Sequence, residues 1–127
     1  MADFRSLIAE ARRQLEADTA RIGRALHGIP SEDTYGVTLE VFSALASARR
    51  HTVTWLEKLI KVETEDPAKH PALTALSTLA AALGSWYVAL RETDPTKKRT
   101  EDRRAKELFA RATRAFADLD ETLGRTP

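Results

Sequence analysis

Proline and glycine break the chain at three places, Gly28 with Pro30 and Gly36, Pro67 with Pro71, and Pro95, leaving four stretches of helical length. Proline cannot continue a helix from its interior, and glycine readily adopts the backbone conformations that end one. Between the breaks, apolar residues recur at alternating steps of three and four, the period of one helix face, and nothing alternates as a half-buried strand does. The pattern predicts an all-α chain with helices over 4–27, 32–63, 71–92 and 95–123. Asp3, Ser31 with Glu32 and Asp33, and Asp94 before Pro95 supply starts, while Gly28 and Gly124 supply stops. Connections this short favour an antiparallel up-down-up-down four-helix bundle with helices about 35 to 45 Å long. At 127 residues, one domain spanning 1–127 is expected.

Composition acts mainly by exclusion. The absence of cysteine removes disulfide scaffolds, thiolate metal sites and cysteine nucleophiles, and fits a reducing compartment. No basic stretch followed by an apolar one opens the chain, so a cytoplasmic location is expected. Twenty Lys and Arg against nineteen Asp and Glu leave a net charge of +1, which gives no global attraction to nucleic acid or anionic membrane. The abundance of arginine and alanine resembles the product of a high-GC bacterial or phage genome. There is no glycine-rich phosphate loop, nucleophile elbow or recognisable pair of catalytic acids, which argues against an enzyme. The three histidines, His27, His51 and His70, fall at a helix end, on an outward helix position and in a loop, and no Glu-x-x-His pair occurs. Neither a metal site nor a cofactor is expected from such a set.

The helices divide into unlike pairs. The first carries a single apolar stripe, Phe4, Ile8, Ala11, Leu15, Ile22, Ala25 and Ile29, interrupted by Asp18, and the fourth carries Ala105, Phe109, Ala112, Phe116, Leu119 and Leu123. The second helix has two. Tyr35, Leu39, Phe42, Ala46, Val53, Leu56 and Ile60, interrupted by Arg49, form the seam expected to face the bundle. Val41, Leu45, Ala48, Trp55, Leu59 and Val62, with Thr52, form another, displaced by roughly 110° around the helix. The third helix repeats the duplication, with Leu73, Leu76, Ala80, Leu83, Tyr87 and Leu90 on one seam and Ala72, Ala75, Leu79, Ala82, Trp86 and Ala89 on the other.

Both tryptophans lie on the extra seams, and tryptophan is enriched where interfaces bury their most energetic contacts. The expected docking surface is therefore Val41, Leu45, Ala48, Trp55, Leu59, Val62, Leu79, Ala82, Trp86 and Ala89, serving self-association into a homo-oligomer or an adaptor role toward a protein partner. The alternative is a broad face wholly buried in one bundle. The uncharged stretch from Pro71 to Leu90 has the length to span a bilayer, but its Ala, Ser and Thr content and the lack of a flanking basic belt speak against a membrane.

Asp18 and Arg49 both stand at core-stripe positions, and pairing the two stripes puts them within reach of a buried salt bridge that fixes register. Arg21 and His27 resemble the Arg-x4–6-His motif of HEPN-type ribonucleases, with Ile22 where that family commonly has a polar residue; the resemblance implies a dimerising helical nuclease. His51 on the second helix is similar to the acceptor of histidine phosphotransfer domains, with Thr52-Val53-Thr54 in place of their usual lysine and glycine. Lys97, Lys98, Arg99, Arg103, Arg104 and Lys106 crowd the start of the fourth helix. Such a run is either a solvated face or a patch for nucleic acid or an acidic partner.

Overall fold

The computed structural model describes residues 3–27 and 39–125. These form four helices, α1 (Phe4–His27), α2 (Leu39–Ile60), α3 (Lys69–Arg91) and α4 (Pro95–Arg125), with no strand among the described residues. The start of the second helix proposed around Ser31, together with Gly28, Ile29, Tyr35 and Gly36, lies outside the described residues.

Local chemistry sets the boundaries. Asp94 begins α4 as the sequence suggests: its Oδ1 accepts from the Thr96 and Lys97 amides at 2.9 and 3.3 Å, and Pro95 follows at the first helical position, where no amide hydrogen is needed. Before α3 the Asp66 Oδ1 accepts from the Ala68 amide at 2.9 Å; Ala68 at the cap position carries no side-chain cap, and α3 starts at Lys69 with Pro71 inside its first turn. Each of these helices also closes the one before it. The Lys69 ammonium reaches the Val62 and Ile60 carbonyls at 2.6 and 3.3 Å, and that of Lys98 reaches Ala89 at 2.8 Å. A cation at a helix C-terminus satisfies carbonyls that lack an intrahelical partner and complements the dipole. Gly124, read as a stop, remains helical, and Arg125 pairs with Glu121 one turn back.

α3 packs against both α2 and α4, and α1 packs on α2. α1 also meets α4 through side chains. Arg12 pairs with Asp120 and lies over the Phe116 ring at 5.3 Å, while the Arg5 guanidinium grips both Asp66 oxygens at 2.9 and 3.2 Å and reaches the Leu123 carbonyl. The core forms two clusters. One gathers Phe4, Ile8, Leu59, Ala72, Leu76 and Leu119; the other gathers Ile22, Ala25, Val41, Leu45, Ala48 and Leu83. Three polar residues, Asp18, Ser47 and Thr52, are buried and satisfied within the fold, Thr52 through the Ala48 carbonyl at 2.7 Å and Ser47 through Arg21 and Arg50. The stripes of α1 and α4 point inward as expected, with Phe4, Ile8, Ala11, Ile22, Ala25, Ala105, Ala112 and Leu119 buried.

Among the described residues α3 is the one helix long and apolar enough to cross a bilayer. Of that stretch 33% is buried, with Ala72, Ala75, Leu76, Ala82, Leu83 and Ala89 enclosed by neighbouring elements.

Candidate functional site

The two seams of α2 are exchanged relative to the sequence expectation. Val41, Leu45, Ala48, Thr52 and Leu59, assigned to a docking face, are fully buried within the chain, and Trp55 and Val62 are half-buried against the same core. On α3, Ala82 and Ala89 are likewise buried. Leu79 and Trp86 are half-buried, with Trp86 packed edge-on against Phe109 at 5.7 Å between centroids. A surface built from these ten residues is corrected on that ground: most of them have no area left to offer. The seam carrying Arg49 could not fill the core, because an arginine in mid-stripe would have to be desolvated there, whereas Thr52 bonds its own backbone and buries readily.

The other seam of α2 is correspondingly exposed. Leu39 and Ile60 keep 87% and 53% of their surface, Ala46 is open, and Phe42, Val53 and Leu56 are half-buried along the same edge. Beside it runs an outward face of α3 made of small residues, Ser77, Ala81 and Gly84, ending in Val88, which is 48% exposed. Phe42 and Tyr87 join the two helices by an edge-on ring contact at 5.3 Å. The result is a trough with two widenings. One, of about 360 Å³, lies among Leu56, Ile60, Leu73 and Ser77; the other, of about 620 Å³, lies among Ala46, Arg49, Ala81, Gly84, Val88 and the Glu101 and Arg104 side chains of α4. Gly84 leaves room for Arg49 to lie across α3: a β-carbon there would stand 3.2 Å from the Arg49 Nε.

Asp18 is buried as its stripe position suggests, but its partner is His51 instead of Arg49. His51 Nδ1 lies 3.1 and 3.0 Å from the two Asp18 oxygens, and the Gln14 amide donates to Oδ1 at 3.2 Å. The expected Asp18–Arg49 bridge is excluded by the rotation of α2, which turns Arg49 into the trough and brings His51 to the α1 side. The Gln14 amide also lies 3.3 Å from His51 Nδ1, so the three side chains form one polar cluster between α1 and α2. His51, read from sequence as an ordinary outward residue, is thus half-buried and oriented. A period-four row of polar residues on each helix, Gln14 with Asp18 and Ser43-Ser47-His51, is the signal that would have exposed the pairing. His27 and His70 are exposed, the latter inside the first turn of α3 and not in a loop. No three metal-ligating side chains converge among the described residues.

The basic run of α4 does not form one patch. Lys98 is engaged with the end of α3, and Arg104 lines the trough. Arg99, Arg103 and Lys106 stand at i, i+4 and i+7 and share an exposed outer face. Arg21, half of the nuclease-like pair, donates to Ser47 and Ser43 on α2, while His27 lies exposed at the last position of α1.

Compared with protein-family models, curated proteins and solved structures, the chain matches none of them.

Proposed function

We propose that this chain works without catalysis, as a helical bundle that associates with a second copy of itself through the outer faces of α2 and α3. The observation that carries the reading is the apolar edge Phe42–Val53–Leu56–Ile60, half-buried except for Ile60 at 53% exposure, lying beside the small-residue face Ser77–Ala81–Gly84. A ridge and a shallow groove side by side are self-complementary: a two-fold axis seats each ridge on the other copy's groove. The same face carries charges of both signs, Arg49 and Arg104 with Glu101, which a two-fold can bring into opposite pairs. Phe42 and Tyr87 provide the aromatic anchors that interfaces favour.

An up-down-up-down antiparallel arrangement belongs to this proposal. It is supported by the packing of the start of α1, Phe4 and Ile8, with Leu59 near the end of α2, while Ile22 and Ala25 pack with Val41 and Leu45 near its start.

Light scattering coupled to size-exclusion chromatography tests the reading. The wild type is expected at twice the chain mass, and Leu56→Glu combined with Val53→Glu is expected to give a folded monomer. A wild type that stays monomeric at high concentration overturns the proposal. A second reading, association with nucleic acid through α4, is favoured by the shared outer face of Arg99, Arg103 and Lys106; it requires a mobility shift at low salt that weakens as salt rises.

A further inference from the structure

Along its outer edge the α1–α2 junction is polar, and two arginines converge there on one neutral oxygen. Arg21 donates from Nη1 to Ser47 Oγ at 3.2 Å and from Nη2 to Ser43 Oγ at 3.2 Å, and Arg50 donates from Nη2 to the same Ser47 Oγ at 3.4 Å. Neither guanidinium pairs with a carboxylate among the described residues. Like charges brought to a shared hydroxyl repel each other, and an anion seated between them reverses the sign of both interactions. His51 stands one helical turn beyond Ser47, with Nδ1 held against Asp18.

We propose that Arg21, Arg50, Ser43 and Ser47 form a binding site for a phosphate dianion, free or as the terminal group of a small monoester, with the His51 ring at its rim. Two guanidinium forks and two hydroxyls present more donors than the two oxygens of a carboxylate can use, and they match a tetrahedral group with three or four. Two positive charges likewise balance a group carrying about −1.5 to −2 near neutral pH. A phosphodiester carries one charge and only two free oxygens, so an oligonucleotide suits the site less well.

Isotope-labelled wild-type protein titrated with inorganic phosphate, at ionic strength held constant with sodium chloride, provides the test. Saturable shifts of the Arg21 and Arg50 Nε–H signals and of the His51 ring are expected, with glycerol phosphate competing for the same site. Arg21→Gln and Arg50→Gln should each weaken binding about tenfold or more, as loss of a charge-assisted hydrogen bond does. Arg50→Lys should fall between, and Arg103→Gln on the outer face of α4 should leave affinity unchanged. Arg50 is exposed, so its substitution keeps the fold, which circular dichroism checks. Shifts that never saturate, or equal weakening by Arg103→Gln, overturn the proposal. So does a single-stranded oligonucleotide that binds more tightly per phosphate than the monoester.

Discussion

Asp18 shows how a single residue can be half legible. Its place inside the protein follows from the stripe it interrupts, yet its partner depends on how α2 is rotated, which no residue of α1 reveals. Replacing it with alanine removes the acceptor for both His51 and Gln14 in a buried setting, and the expected loss is about 1–3 kcal/mol in urea unfolding, with Asp18→Asn losing less because it keeps one acceptor. Asp66 is the residue whose charge bears on pH. The Arg5 hydrogen bond, followed by that from the Ala68 amide, holds its carboxyl below the usual carboxylate range. The folded state therefore favours the ionised form, and the associated stability is complete above the carboxylate's ordinary value and disappears as pH falls through the lowered one. Melting temperature should decline between about pH 5 and pH 2 more steeply in the wild type than in Asp66→Asn. Gly23 offers the opposite case: a β-carbon there meets nothing within 4 Å, so Gly23→Ala should stabilise α1 by about 0.5–1 kcal/mol through helix propensity and a less flexible unfolded chain.

At the scale of the helix, the start of α4 was readable because it depends on a few neighbouring residues, whereas Gly124 did not stop that helix and α3 begins two residues before Pro71. Asp94 with Pro95 works locally, and Asp94→Ala should cost about 1 kcal/mol as a lost cap. The rotation of α2 was harder to read because both seams have the right spacing and similar apolar content. What distinguishes them is the interrupting residue: Arg49 needs solvent, whereas Thr52 can satisfy its hydroxyl on the Ala48 carbonyl. A pair of substitutions separates the seams experimentally. Leu59→Ala, at a fully buried position, should lose about 2–5 kcal/mol, while Ile60→Ala, next to it and half open to solvent, should lose less than about 1 kcal/mol. Equal losses would mean that the seams are not distinguished as described. α3 differs again, since both its seams find partners: it sits between α2 and α4 and needs apolar surface on two sides.

Across the whole molecule, the two core clusters are unequally secured. The cluster around Phe4, Leu59 and Leu119 draws on all four helices and is bound at its margin by Arg5, Asp66 and the Leu123 carbonyl. The one around Ile22, Val41 and Leu83 has no such three-way tie between distant segments among the described residues. Amide exchange should accordingly be slowest near Leu59 and Leu119 and faster near Val41, because opening free energy follows local packing and cross-links. Which apolar surface stays outside the core was the least legible feature at this scale. It is a global outcome of helix rotation.

The reach of Arg5 to Leu123 also brings the opening of α1 beside the close of α4. A few glycine and serine residues could splice those two points, and the loop could be reopened at the exposed Glu63, giving a circularly rearranged chain with the same four helices in a new order of synthesis.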